Sequence, residues 1–239
     1  MILCLDFGNT NKKLSIFKNR EIVLFKYLDS FNTEDLQKII SGYSIRSILI
    51  SAVIEIPTDF IAFLETHGKV TLINHQVADK KLHYTTYEPS TLGIDRKLMA
   101  IGALRQLPAH DLLIICLGTC ITYNVVTKER EFIGGVISPG LEMRAKSLNA
   151  FTEKLPLIDW KATPIQMQFG KNTTENLQLG VFESVYFELA GWIKLFKNQY
   201  PLGKVIFTGG DASHLLSKKT FNDIHLEERL LWRGMLEFE

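Results

Sequence analysis

The stretch ICLGTCITYN, residues 115–124, follows the apolar residues Leu112, Leu113 and Ile114 and turns at Gly118-Thr119 into a second β-rich run, Ile121 to Val126. The chain opens in the same way, with Leu3-Cys4-Leu5-Asp6-Phe7-Gly8-Asn9-Thr10. One offset of 110 residues aligns Gly118 with Gly8 and sets Cys116 opposite Asp6. An apolar run that breaks at a Gly-containing turn and resumes as a β-rich run reads as a strand–turn–strand unit. Two such units predict an internal duplication.

Working outward from the first unit, residues 2–6, Lys13–Phe17 and Glu21–Tyr27 read as a three-strand meander. Thr33–Ser41 reads as a helix with Thr33 as its N-cap and Gly42 as its stop. Ile45–Val53, Thr58–His67 and Val70–Ile73 then read as strand, helix and strand, and residues 76–92 as a polar connection. A helix begins at Gly93-Ile94-Asp95-Arg96 and runs to about Leu107. Beyond the 112–126 unit, Lys128–Glu129 and Phe132–Val136 extend a second meander, and Ser138-Pro139-Gly140-Leu141 leads into a helix through Leu148. Thr174–Lys197 is a long helix, Lys204–Thr208 a strand, Ala212–Ser217 a short helix and Glu227–Met235 a final one. This order predicts an α/β protein with two domains, residues 1–108 and 109–239.

The composition narrows the function classes. Apolar residues make up 46% and charged residues 22% of the 239 positions, which suits a chain that buries a core. A net charge of +1 offers no electrostatic footprint for nucleic acid or an anionic membrane. No apolar run approaches the length of a bilayer span, and no signal peptide is read at the N-terminus. Three cysteines, Cys4, Cys116 and Cys120, in or beside predicted strands fit a reducing cytoplasm better than a disulfide framework. No spacing of cysteine or histidine suggests zinc.

Four places carry chemistry. In Asp6-Phe7-Gly8-Asn9-Thr10 a strand-end carboxylate precedes a tight turn, with Lys12 and Lys13 just beyond. Gly lets backbone amides approach a phosphate, Asn and Thr add hydrogen bonds, and Asp can hold Mg²⁺ through water. Taken alone the same letters also describe an ordinary hairpin turn. Gly93-Ile94-Asp95-Arg96 places an acid suited to proton transfer beside an arginine suited to a substrate carboxylate, or simply an acid favoured by the helix dipole. Gly134-Gly135-Val136-Ile137-Ser138-Pro139-Gly140-Leu141 and Phe207-Thr208-Gly209-Gly210-Asp211-Ala212 bring dense glycine to a strand–helix junction, where backbone can be approached closely.

Taken together and in order, these places resemble the type III pantothenate kinases, a family of the acetate and sugar kinase and actin superfamily. The matching segments are Asp6–Lys13, Tyr87–Arg96, Cys116–Asn124, Gly134–Leu141, Gly170-Lys171-Asn172-Thr173 and Thr208–Gly210. The resemblance implies two ribonuclease-H-like (actin-like ATPase) domains with a nucleotide cleft between them. It implies phosphorylation of the pantothenate 4′-hydroxyl by ATP, the first step of coenzyme A biosynthesis, in a cytoplasmic homodimer. By the same resemblance, Asp6, Phe7, Gly8, Asn9, Thr10, Asn11, Lys12 and Lys13 form the first ATP loop, with Asp6 near Mg²⁺, and Thr119 touches ATP from the second. Asp95 is the general base. Tyr87, Gly93, Ile94, Asp95 and Arg96 hold pantothenate, and Thr173 closes the pocket from a partner subunit.

The family also uses a monovalent cation, K⁺ or NH₄⁺, linked to an aspartate at the position of Cys116. K⁺ prefers oxygen ligands, and a neutral thiol serves it poorly. Asn124 stands where the family commonly has another aspartate, and Cys120 where it often has alanine. Either the chain works without that cation or supplies an oxygen or a positive group from elsewhere, or it is a non-catalytic regulator or inactive paralogue on the same fold. A kinase for another hydroxylated substrate is a third reading, which Tyr87 and the Gly-x-Asp-Arg motif disfavour.

Overall fold

Every side chain of strand β1 (Ile2–Phe7) is buried, so both faces of the sheet it centres must be covered. The computed structural model describes residues 1–8, 11–162 and 169–239. They form two units, Met1–Leu107 with Leu230–Glu239, and Pro108–Arg229.

In the first unit β1 is followed by β2 (Lys12–Lys18), β3 (Glu21–Leu28), α1 (Thr33–Ile40), β4 (Ser47–Ala52), α2 (Thr58–Glu65), β5 (Lys69–Leu72), α3 (His75–Asp79) and α4 (Ile94–Gln106). The sheet order is β3-β2-β1-β4-β5. β2 pairs antiparallel with β1, whereas β4 is parallel to both β1 and β5. Leu3, Leu5 and Phe7 take one face, where Leu14, Ile16, Ile48 and Ile50 join Leu36 and Ile40 of α1 and Phe60 and Leu64 of α2. Ile2, Cys4 and Asp6 therefore lie on the opposite face. α4 is buried on nearly all sides from Ile94 to Leu104.

The second unit contains β6 (Leu112–Leu117), β7 (Cys120–Val126), β8 (Phe132–Pro139), α5 (Leu141–Ala150), α6 (Thr173–Gln199), β9 (Lys204–Thr208), α7 (Ala212–Lys218) and β10 (Ile224–Leu226). Its order, β10-β9-β6-β7-β8, is the order of the first sheet with β6, β7, β8, β9 and β10 in the places of β1, β2, β3, β4 and β5. The pairing senses agree as well, β6–β7 and β7–β8 being antiparallel and β6–β9 and β9–β10 parallel. The duplication expected from one aligned turn is thus a property of both sheets. Its core joins Leu113, Ile115 and Leu117 to Tyr123, Leu141, Val181, Phe182, Val185 and Leu189.

Several expectations are corrected. The N-cap of α1 is Asn32, whose side chain accepts from the Asp35 N–H at 3.0 Å, in place of Thr33. The polar connection holds α3, capped by Asn74 in the same way. Lys128 and Glu129 form a turn that closes with Arg130 at φ 69°, not a strand. β8 continues through Ser138 and Pro139, and Gly140 is the N-cap of α5. β10 has only three residues, too few to show a periodicity of its own.

The largest correction concerns the last ten residues, expected in the second domain. They belong to the first unit, where α8 (Leu230–Met235) packs on α4 and Trp232 meets Phe25 at 6.3 Å between ring centroids. The two helices touch at glycines: a Cβ on Gly102 would lie 2.8 Å from the Gly234 nitrogen, and one on Gly234 would collide with the Leu98 carbonyl. Arg20 pairs with Glu237 and Arg46 with Glu239.

Gly234→Ala is therefore expected to destabilise the protein by about 1–3 kcal/mol, the usual cost of forcing atoms into a packed contact. Gly191→Ala on α6, where an added Cβ meets nothing within 4 Å, should stabilise by up to about 1 kcal/mol. Urea denaturation of both variants gives the two signs.

Candidate active site

β1 delivers Asp6 to the end of the sheet between two neighbours. Lys13 of β2 and Ser51 of β4 are its register partners, so the three side chains stand in one row on one face. Asp6 is 8% exposed. Burial is the main reason its carboxyl is pushed up to about 6; Lys13 pulls it down and Asp95 adds to the rise. The turn that follows is closed by the Gly8 N–H donating to the Asn11 carbonyl at 3.0 Å. Asn9 and Thr10 lie outside the described residues.

The other residues named with this loop divide by face. Lys12 is the register partner of Phe7 and stands over the Phe31 ring at 5.3 Å, so it points away from Asp6. Phe7 is fully buried against Phe31 and Phe60. It is a core residue, and a ligand contact from it would have to come from its backbone. The cation beside Asp6 is Lys13.

Asp95 sits in the first turn of α4. Its side chain folds back over the N-cap, since a Cβ on Gly93 would lie 2.6 Å from Asp95 Oδ1. Glycine at position 93 is what leaves room for this carboxylate. Arg96 is 7% exposed and Ile94 2%, so Ile94 can offer a ligand only its backbone. Tyr87 is half-buried, just ahead of the 3-10 turn Pro89–Thr91 that Glu88 caps. Sequence reasoning missed Lys97, which is fully buried. Its Nζ lies 2.5 Å from Asp79 Oδ1 and 5.6 Å from the centre of the Tyr84 ring, and the Tyr84 hydroxyl donates to the same Asp79 oxygen at 2.7 Å. This pair fixes α3 against the residue that follows Arg96.

In the second unit, three glycine motifs meet at the Gly118-Thr119 turn. The Gly118 N–H donates to the Cys120 carbonyl at 3.1 Å, and the Gly140 N–H to the Thr119 carbonyl at 3.1 Å. A Cβ on Gly140 would stand 2.5 Å from that Thr119 oxygen. Gly209, at φ +94°, packs so closely on Leu117 that no side chain fits, and the Asp211 N–H donates to the Leu117 carbonyl at 3.2 Å. Thr119 is left exposed at the tip. Behind it, Glu188 of α6 accepts from the Tyr123 hydroxyl at 2.7 Å and the Ser138 hydroxyl at 3.2 Å and pairs with Arg144, tying β7, β8, α5 and α6 together.

Cys116 occupies the place that Asp6 has in the first sheet. Its register partners are Thr122 and Thr208, so the row Lys13–Asp6–Ser51 is answered by Thr122–Cys116–Thr208. Asn124 is fully buried and donates to the Thr122 hydroxyl at 3.2 Å. Thr173 opens α6 and is exposed, and Asn172 caps the helix by accepting from the Glu175 N–H at 3.0 Å. A Cβ on Gly170 would lie 2.5 Å from the Asn176 nitrogen, so glycine is needed for the chain to enter this turn closely.

The family model described as type III pantothenate kinase matches residues 2–194. A type III pantothenate kinase of Christiangramia forsetii is 37% identical over 246 residues, covering 100% of this chain and 98% of its own. Those of Cytophaga hutchinsonii, at 36% with 89% and 88% covered, and Bacteroides fragilis, at 34% with 88% and 86% covered, are similar. Among solved structures, a Campylobacter jejuni protein described as a Baf-family transcriptional activator superposes with a TM-score of 0.62 at 22% identity, covering 98% of this chain and 96% of that one. The activator of 2-hydroxyisocaproyl-CoA dehydratase from Clostridium difficile gives 0.52 at 13%, covering 98% and 91%. These structures speak to the fold, which is that of the actin-like ATPases. By its family match and by relatives above 30% identity over nearly its whole length, the chain belongs to the type III pantothenate kinase family.

Proposed function

We propose that this protein transfers the γ-phosphoryl group of ATP to the 4′-hydroxyl of pantothenate, the reaction that opens coenzyme A synthesis. The observation that carries this reading is the pair of carboxylates at the end of β1 and in the first turn of α4: Asp6, buried beside Lys13, and Asp95, folded back over Gly93 and close enough to raise the Asp6 carboxyl. Phosphoryl transfer needs charge held on the phosphates and a separate acceptor for the alcohol proton. Asp6 and Lys13 serve the first need. Asp95 serves the second. The hydroxyl oxygen attacks the γ-phosphorus, its proton passes to Asp95, and the bond to the β-phosphate oxygen breaks to release ADP. Arg96 binds the pantothenate carboxylate, Tyr87 and the backbone at Gly93 and Ile94 flank it, and Thr173 of a second copy completes the pocket.

Mg²⁺, when bound, neutralises phosphate charge. The oxygen-rich, buried surroundings of Asp6 fit a hard divalent ion, with Asp6 holding it through water. The surroundings of Cys116 do not fit the family's monovalent cation. A thiol between two neutral hydroxyl residues supplies no negative charge to balance K⁺. The reaction is therefore read as independent of K⁺. This departure, with Asn124 at a second position where the family commonly has aspartate, also favours an inactive paralogue, and an assay separates the two.

ADP release should depend on pantothenate and change by less than about twofold between Na⁺, K⁺ and NH₄⁺ buffers, and Cys116→Asp should introduce stimulation by K⁺. Absence of turnover in every salt would remove the kinase reading. Asp95→Asn should lower kcat by about 10²-fold or more with an unchanged circular dichroism spectrum; full activity would show that another group takes the proton.

Asp6 gives a pH prediction. Its folded carboxyl titrates near 6 against an ordinary 3.8. The ligand-free folded protein thus keeps a proton that the unfolded chain has lost, and stability falls as pH rises through that window, by about 3 kcal/mol. Asp6→Asn should flatten this part of the stability profile and raise the melting temperature at pH 8, while abolishing turnover. Differential scanning calorimetry from pH 4 to 8 measures it.

A further inference from the structure

Ser51 ends β4 beside Asp6, on the same face and 1% exposed. Its Oγ has no hydrogen-bond partner among the described residues. A buried hydroxyl left unpaired costs about 1–3 kcal/mol, and native proteins rarely keep one without a use. One strand away on this face, Ser15 shows the ordinary solution: its Oγ donates to the Leu24 carbonyl at 3.0 Å. Ser51 has no such acceptor, and its register neighbour is the one buried carboxylate of the sheet. The matching position of the second sheet, Thr208 beside Cys116, also carries a hydroxyl.

The chemistry of the pair selects a ligand. A small divalent cation held through water keeps several waters, and each bound water donates strongly and needs an acceptor. Asp6 supplies carboxylate oxygens, while Ser51 adds lone pairs without adding charge. A third carboxylate there would repel Asp6 and Asp95, whereas a hydroxyl does not.

We propose that Ser51 is a further ligand-contacting residue of the Asp6 site, its hydroxyl accepting a hydrogen bond from the hydration shell of the divalent cation that accompanies ATP. The inference rests on the reading of Asp6 given above.

Mn²⁺ is the probe. The free-ion signal is followed by electron paramagnetic resonance while Mn²⁺ is titrated into the full-length protein with a non-hydrolysable ATP analogue. Ser51→Ala should weaken Mn²⁺ binding by about tenfold, the usual scale for loss of an outer-shell partner, and Ser51→Thr should restore most of it. Affinity for the analogue in EDTA should stay unchanged. Without ligands, Ser51→Ala should melt no lower than the parent, because it removes an unpaired group. A lower melting temperature in Ser51→Ala would assign the hydroxyl a structural role and overturn the proposal. So would wild-type Mn²⁺ affinity in Ser51→Ala while Asp6→Asn loses the ion. Wild-type affinity in Asp6→Asn would instead remove the reading of Asp6 on which the inference stands.

Discussion

A carboxylate at the end of a wholly buried strand keeps its charge only if something nearby compensates it. Asp6 is in that position. The sheet supplies Lys13 on one side, but burial outweighs that help, and the nearby carboxylate of Asp95 acts against it. The first unit is therefore electrostatically unfinished around Asp6, in the manner of sites that await a positively charged ligand. Much else follows from keeping this carboxylate where it is. β1 must be central, α4 must present its first turn to it, and Gly93 must lack a side chain so that Asp95 can fold back.

The two sheets share order and pairing sense, yet their central rows differ in character. One reads cation, carboxylate, hydroxyl; the other reads hydroxyl, thiol, hydroxyl. The first row suits a charged ligand. The second is neutral, and its work is done by backbone: glycines 118, 140 and 209 bring three chain segments to one turn and leave Thr119 exposed there. The two halves share a topology, and the different character of each row sets their residues apart.

What sequence could reveal follows from how locally each feature is determined. Lys204–Thr208 and the Gly93-to-Leu107 helix were legible because an apolar run or a start signal lies within the segment itself. The Asp6–Lys13 row was half legible, since both residues belong to one hairpin, although only the register shows that Lys13 and not Lys12 faces the carboxylate. Ser51 was invisible: as a letter it is an ordinary strand residue, and its burial beside Asp6 depends on a parallel pairing between distant segments. The Lys97–Asp79 pair and the three-residue β10 escaped for the same reason, as each depends on a partner that no local periodicity announces.

The return of the last ten residues to the first unit has a consequence for biogenesis. On the ribosome, residues 108–229 emerge as a continuous unit and can fold as soon as they clear the exit tunnel. The first unit cannot. Its most enclosed helix, α4, waits for α8, which is synthesised only after the second unit, so Gly102 and the apolar residues around it stay uncovered throughout synthesis of the second unit. The first unit is thus begun before the second and completed after it, and a chain cut before Leu230 holds the whole second unit and a first one without its closing helix.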